Sequence, residues 1–274
     1  MHDIHFHTNL SSCAKRESSL KIMLRHLKEA GVTTAGVANH LWDSKVPGAS
    51  GWYAPQNVEH VLSVKKEYAS LSEEERCGIK LYFGCETEYV GQGRVALKPE
   101  SAKHFDYVLV PAHHFHMKNF VRPVELEEAA AVGKLMLARF TECCNIDFVF
   151  GIVHPFMVAG YPGRIDEILS TISDSAFRSV FSHAAEKDKS VELNICMLYQ
   201  DTKNDQEGFP VEYRRIFTIA RECGCKFHLG SDAHDPERLA PERFTKALNF
   251  AQKCGIVFPE DPFEYRRAVK NEIQ

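Results

Sequence analysis

No apolar stretch in this chain approaches the roughly 20 residues that cross a bilayer as a helix, so no membrane partner is expected. The first residues lack a basic segment followed by an apolar one. A strand-like run begins at His2 instead, and a cytoplasmic location is the expectation. Charge of one sign is not in excess: the net charge is −4 and the pI about 6.4. That balance supplies no field to attract nucleic acid, and none is expected as a partner. No two of the nine cysteines have C-x-x-C spacing, which leaves no zinc ribbon, and their odd number suits no disulfide framework. P-loop, H-E-x-x-H and nucleophile-elbow patterns are missing. A G-x-G-x-x-A match at 91–96 runs into Lys98 and Pro99 with no helix opening, so it does not read as a dinucleotide site. Repeats, low-complexity tracts and Pro/Gly/Ser-rich linkers are absent as well, and 1–274 reads as one domain.

What is present is an alternation of short β-type runs with longer helical patterns. Strands are expected over 2–8, 33–39, 79–85, 106–112, 148–153, 190–195 and 226–231. Helices are expected over 18–30, 56–71, 123–144, 164–187, 210–224 and 240–254. Nearly continuous apolar strands, each followed by a helix, argue for a parallel α/β sheet covered by helices. An open sheet would place a ligand where two or three strand ends meet; a barrel would gather all of them on one rim.

The strand ends carry the chemistry. The first run holds His5 and His7, and i and i+2 share a face in a strand. The next six end in His40, Glu86, His113 with His114, His154, Glu192 with Asn194, and Asp232 with His234. Imidazole and carboxylate are both metal ligands, and so many exceed the three that a single catalytic zinc takes from protein. A multinuclear site is therefore expected. His2, His26, His60, His104, His183 and His228 lie elsewhere and read as structural or surface residues.

At "DIHFHT" (3–8), "ANH" (38–40), "GCE" (84–86), "DYVLVPAH" (106–113), "IVHP" (152–155), "VELN" (191–194) and "GSDAH" (230–234) the sequence resembles the PHP family of polymerase and histidinol phosphatase domains. The resemblance implies a distorted seven-stranded (β/α)7 TIM-like barrel with up to three divalent transition metal ions (zinc, iron or manganese) at its rim. It implies a stand-alone phosphoesterase, similar to the histidinol-phosphatase branch, hydrolysing a small-molecule phosphate monoester with a water activated on the metals. Carried over by position, one ion takes His5, His7, Glu86 and Asp232, and a second takes His113 and His154 with Glu86 bridging. The third takes His40 and His234 with a ligand from the loop after the first strand. There the sequence departs from the family pattern: Cys13 stands where many relatives have His or Asp, and a thiolate is a competent zinc ligand.

Only one of the neighbours His113 and His114 can face inward from a strand. The family spacing from Asp106 favours His113, leaving His114 as a substrate contact. Glu86, Asp232 and His234 are the expected catalytic residues. Lys15, Arg16, Arg164 and Asn194 are further candidates for substrate, set against ordinary surface charge for the three cations. The rival readings are an amidohydrolase-like C–N hydrolase, which also uses H-x-H after its first strand, and a non-catalytic metal-binding module on the same fold.

Overall fold

The computed structural model of the chain describes residues 1–117, 123, 125–200 and 202–264. Its strands are β1 (His2–Phe6), β2 (Thr34–Val37), β3 (His40–Leu41), β4 (Lys80–Phe83), β5 (Cys85–Thr87), β6 (Tyr89–Gly91), β7 (Arg94–Val95), β8 (Val108–Pro111), β9 (Gly151–Val153), β10 (Ser190–Asn194) and β11 (Lys226–Gly230). Its helices are α1 (Leu20–Glu29), α2 (Val58–Leu62), α3 (Val64–Ser70), α4 (Pro99–Ala102), α5 (Ala129–Cys144), α6 (Ile165–Ser170), α7 (Asp174–Glu186), α8 (Val211–Glu222) and α9 (Pro241–Cys254).

The expected α/β class holds, with all long-range strand pairs parallel. Eleven strands stand among the described residues where seven are expected: the third expected strand is interrupted, the short β3 follows the second, and the β6–β7 hairpin lies outside all seven. One sheet runs β1-β2-β4 and a second runs β11-β10-β9-β8-β5-β3. β2 lies within the second expected strand and β3 just past its end in the other sheet, and β4 and β5 divide the third. At the far side, β1 meets the end of β11 through one parallel bridge, Phe6 to Ala233, rather than a continuous ladder. The His7 amide donates to Ala233 O at 2.9 Å there.

A large side chain packs beside these strands. Tyr107 lays its ring across Gly36 and Gly84, where an added Cβ would stand 2.3 Å from the phenol at either position. Its hydroxyl donates to Ile4 O at 2.7 Å, tying β1 to this plug. The G-x-G-x-x-A stretch forms the β6–β7 hairpin. Gln92 and Gly93 both have positive φ, 55° and 66°, as a type I′ turn requires.

Helices cover the sheets with apolar stripes. In α1 the buried side chains are Leu20, Met23, Leu24 and Leu27, the i, i+3, i+4, i+7 spacing of one helix face. Each such burial is worth about 1.5–3 kcal/mol. The expected helices over 56–71 and 164–187 each divide, into α2 with α3 and α6 with α7. Most of the expected helix over 123–144 is present as α5; Val124 lies outside the described residues. No helix among the described residues is long and apolar enough to cross a membrane.

Candidate metal centre

Parallel strands put their C-terminal ends on one side of the molecule, and the side chains there converge. Three compact groups form, each with its ligand atoms within 4.8 Å of one another: His5, His7 and Asp232; Glu86, His114 and His154; and His7, His40 and His234. Glu86 lies among all three. Its Oε2 is 3.4 Å from both His5 Nε2 and His7 Nε2 and 2.8 Å from His40 Nδ1. Its Oε1 is 3.1 Å from His154 Nε2 and 3.6 Å from His114 Nε2. Asp232 Oδ1 is 3.3 Å from His7 Nε2 and 3.7 Å from His5 Nε2. His5 and Glu86 are sealed from solvent, whereas the side chains of Asp232 and His234 are 15% and 20% exposed. The cluster opens on the Asp232 side.

The rings are held from behind. An acceptor on the far nitrogen fixes the tautomer of an imidazole and turns its other lone pair outward. His5 Nδ1 donates to Glu192 Oε1 at 2.6 Å, and His114 Nδ1 donates to Glu88 Oε2 at 2.7 Å. His7 Nδ1 lies 3.0 Å from Ser11 Oγ, whose own proton goes to Asn39 Oδ1. His234 Nδ1 lies 3.0 Å from Asp232 O. In all four, Nε2 presents a lone pair to the cluster. His5 and His7 Nε2 are then only 3.2 Å apart, and His7 and Asp232 share one carboxylate contact.

Facing lone pairs repel unless a proton or a metal cation stands between them. Burial disfavours charge on His5, but Glu192 and Glu86 raise it well above its ordinary value, so a proton holds that place until a metal displaces it. Glu86 Oε2 adds to this: it is buried, with a 2.8 Å ion pair to His40 Nδ1 but no well-aligned hydrogen bond. Buried polar atoms in native proteins are otherwise nearly always paired. Nitrogen and carboxylate donors of this kind fit zinc, iron or manganese better than magnesium, so the residues present fit a divalent transition metal.

Protonation reflects the same crowding. Burial favours protonated Glu86, but His40 and His5 outweigh it and hold the carboxyl well below its ordinary range. Burial disfavours charge on His40, yet Glu86 and Cys13 raise it to about 10. Burial, with His234 and His40 beside it, pushes His7 well below its ordinary value. Two site residues have left-handed backbones: φ is 31° at His154 and 52° at Asp232. Such conformations cost about 1–3 kcal/mol each and cluster at functional sites.

Of the expected ligands, His5, His7, His40, Glu86, His154, Asp232 and His234 are brought together. His113 is not. Its Nε2 faces Met136 O at 2.9 Å and its Nδ1 accepts from the Phe156 amide at 2.9 Å, so both nitrogens are spent on main chain in the core. His114 stands in the cluster instead of contacting only substrate. Cys13 belongs to none of the three groups, but it borders the third. Burial raises a thiol, and the interactions of Cys13 with His234 and His40 reverse this and lower it to about 6.

The residues expected to contact substrate are spread between core, rim and surface. Asn194 is fully buried, donating to Glu192 Oε2 at 3.0 Å and accepting from the Cys196 amide at 2.9 Å. Arg164 forms a fork with Glu167, 2.8 Å at both bonds, on the surface. Arg16 is exposed. Lys15 stays near the rim, its amide donating to His234 O at 2.9 Å with the ammonium half exposed. Of the loop aromatics after β3, Trp42 and Tyr53 are packed away, while Trp52 is 39% exposed with its ring 5.4 Å from His40.

Residues overlooked by sequence reasoning are the supports: Glu88, Ser11 and Asn39. Glu88 had a signal, since it follows Glu86 by two and so shares its face.

Parallel strands with helical crossovers carry a cluster of histidine and carboxylate at the strand ends, an α/β architecture. The structure is similar to that of a histidinol phosphate phosphatase from Lactococcus lactis subsp. lactis, solved with zinc, L-histidinol and phosphate. The TM-score is 0.62 at 16% identity over 94% of each chain. It is also similar to a structure from Listeria monocytogenes assigned as a histidinol phosphatase, with TM-score 0.62 at 14% identity, covering 89% of this chain and 99% of the other. At such identities the likeness establishes the fold. No family model matches the sequence, and no curated relative does.

Proposed function

We propose that this protein is a metal-dependent phosphoesterase that hydrolyses a small-molecule phosphate monoester. Glu86 carries the reading: a sealed carboxylate with an unsatisfied oxygen, ringed by imidazole nitrogens from five histidines. The strands are read as a distorted ring of the PHP type, seven positions around, with β1 beside β11. Three ions are assigned: one to His5, His7 and Asp232 with Glu86, one to Glu86, His114 and His154, and one to His40 and His234 beside His7 and Cys13. A phosphate ester of the histidinol phosphate kind is the first candidate, since the similar Lactococcus fold was solved with L-histidinol and phosphate.

Phosphate-monoester hydrolysis is among the slowest uncatalysed reactions. Bound metals lower the pKa of water from about 16 toward 7 and neutralise charge on phosphoryl oxygens. The chain's own part is to hold the donors ready. Glu192, Ser11, Glu88 and the Asp232 carbonyl keep protons on the Nδ1 atoms of His5, His7, His114 and His234. Glu86 and Asp232 supply the negative charge that keeps cations in a buried place. His40 and His234 stand at the open edge, where a leaving alcohol departs, with Trp52 limiting water at the mouth.

The test is hydrolysis of an aryl phosphate and of histidinol phosphate with added manganese or zinc, beside a panel of amides and cyclic ureas. The wild type should hold more than one equivalent of transition metal and cleave the phosphates. Glu86→Gln should lose well over about 100-fold in kcat, beyond what a supporting residue usually costs, while its circular dichroism is unchanged. Cleavage of the amides alone would replace this reading with the C–N hydrolase. One equivalent or less in metal-replete protein would remove the multinuclear site.

A further inference from the structure

Three hydrogen-bond donors meet on a carboxylate behind the metal cluster. Glu192 of β10 is fully buried and belongs to none of the three ligand groups. Its Oε1 accepts from His5 Nδ1 at 2.6 Å. Its Oε2 accepts from the His154 amide at 2.5 Å and from Asn194 Nδ2 at 3.0 Å. His5 and His154 lie in different ligand groups, His5 in β1 and His154 just past the end of β9. His154 is one of the residues in the left-handed region, so its main chain needs an outside restraint, and Glu192 provides a charge-assisted one.

A second observation comes from the facing strand. Gly230 of β11 is in register with Asn194. A Cβ on Gly230 would stand 1.9 Å from Glu192 Oε1 and 2.8 Å from His5 Cβ. Gly230 is not among the glycines with positive φ, so its missing side chain serves this close approach and no turn.

We propose that Glu192 is a positioning residue that sets two metal subsites at once, through the ring of His5 and the main chain of His154. Gly230 is glycine to admit it. The inference rests on the reading of the cluster as a metal centre. Donor arithmetic makes it specific. His5 Nδ1–H, the His154 N–H and Asn194 Nδ2–H all need acceptors, and a carboxylate offers two acceptor oxygens. A glutamine of the same shape offers one and turns an amide N–H toward a donor. Aspartate keeps both oxygens but draws them back by one methylene.

The experiment is chelator competition for zinc and for manganese on the full chain, with circular dichroism and melting of the metal-free protein as folding controls. Glu192→Gln should weaken binding about 10–100-fold, the range for residues that orient ligands, and more than one equivalent should fall together. Glu192→Asp should recover part of the affinity. Gly230→Ala should weaken metal in the wild type and do so much less in the Glu192→Asp background, where the shortened side chain leaves room. That coupling decides the matter if Glu192→Gln does not fold. Wild-type affinity in Glu192→Gln, loss of a single equivalent, or an equal effect of Gly230→Ala in both backgrounds would overturn the proposal. A wild type that binds no metal would instead overturn the metal reading beneath it.

Discussion

Imidazole and carboxylate are buried together at both ends of the strands, and the two ends behave differently. At the floor, His2 Nδ1 faces Pro259 O at 2.8 Å and its Nε2 accepts from the Leu229 amide at 2.9 Å. His228 Nδ1 is 2.8 Å from Ser190 Oγ, and Asp3 Oδ1 accepts from the His5 and Ser231 amides. Main chain takes up both nitrogens of His2, while His228 Nε2 and Asp3 Oδ2 stay buried without a hydrogen-bond partner. Burial then decides their charge: His2 falls to about 4 and His228 to about 3. At the rim the acceptors stand behind the rings, and the lone pairs are aimed at one another and at Glu86. Histidine number does not separate the two ends. What separates them is convergence: the rim rings meet on one carboxylate, Glu86, and the floor rings do not.

The largest expected effect breaks the comparison inside one dipeptide. His114→Ala removes a donor from the Glu86–His154 group, so about one metal equivalent should be lost and kcat should fall by more than about 100-fold. His113→Ala belongs to the core. It strands the Phe156 amide and Met136 carbonyl, at about 1–3 kcal/mol for each buried group left unsatisfied, and should lower the melting temperature while the metal content stays whole. Metal analysis and calorimetry on both variants check this. Loss of metal from His113→Ala with retention in His114→Ala would reverse the assignment.

That dipeptide also marks how far the sequence was legible. His7 and Glu88 stand one residue past the ends of β1 and β5, close enough for alternation to carry over, so His5 with His7 and Glu86 with Glu88 could be placed on common faces from spacing alone. β8, however, ends at Pro111, and His113 and His114 lie in the irregular segment beyond it, where period-two alternation no longer applies. Long cationic side chains were less legible still. Arg164 sits at the start of α6 and is captured by Glu167 within the first turn, a local ion pair that a strand-end argument ignores. The α/β class followed from the order of runs. The packing of the Tyr107 ring on Gly36 and Gly84 did not, because it is a contact between distant positions.

A smaller effect sharpens the contrast at the floor. The folded-state pKa of His228, about 3, lies below the unfolded value of about 6.5. Its contribution to stability is thus present above about pH 6.5 and lost as pH falls toward 3, because the unfolded chain takes the proton first. By pH 5 the loss is about 2 kcal/mol, at about 1.4 kcal/mol per pH unit. Denaturant titrations of metal-free protein between pH 7 and 5 should show it, and His228→Phe should flatten this limb even if it is less stable at pH 7. An unchanged slope would mean that burial is not what keeps His228 neutral.

The smallest effect concerns Cys13, which lies at the boundary between the two behaviours. It is exposed on the rim loop, yet it interacts with His40 and His234, and its thiol is lowered to about 6. In metal-free protein it should therefore be largely thiolate at pH 7, and its alkylation rate should rise with a midpoint near pH 6 instead of about 8.5. The sign follows from the partners: protonated His40 and His234 stabilise the anion, and raising pH above their own titration removes that support. If the thiolate also ligates, zinc or manganese takes the place of those protons and should slow alkylation of Cys13 by about tenfold or more. Cys13→Ser should then weaken the third ion and lower turnover by no more than about tenfold, and Cys13→His or Cys13→Asp should restore most of both. Peptide mapping must read the modification at Cys13 itself, since the chain has nine cysteines. Equal rates with and without metal, joined to a silent Cys13→Ser, would leave the thiol as a bystander. The third group would then consist of His7, His40 and His234 alone, with His7 shared between two ions.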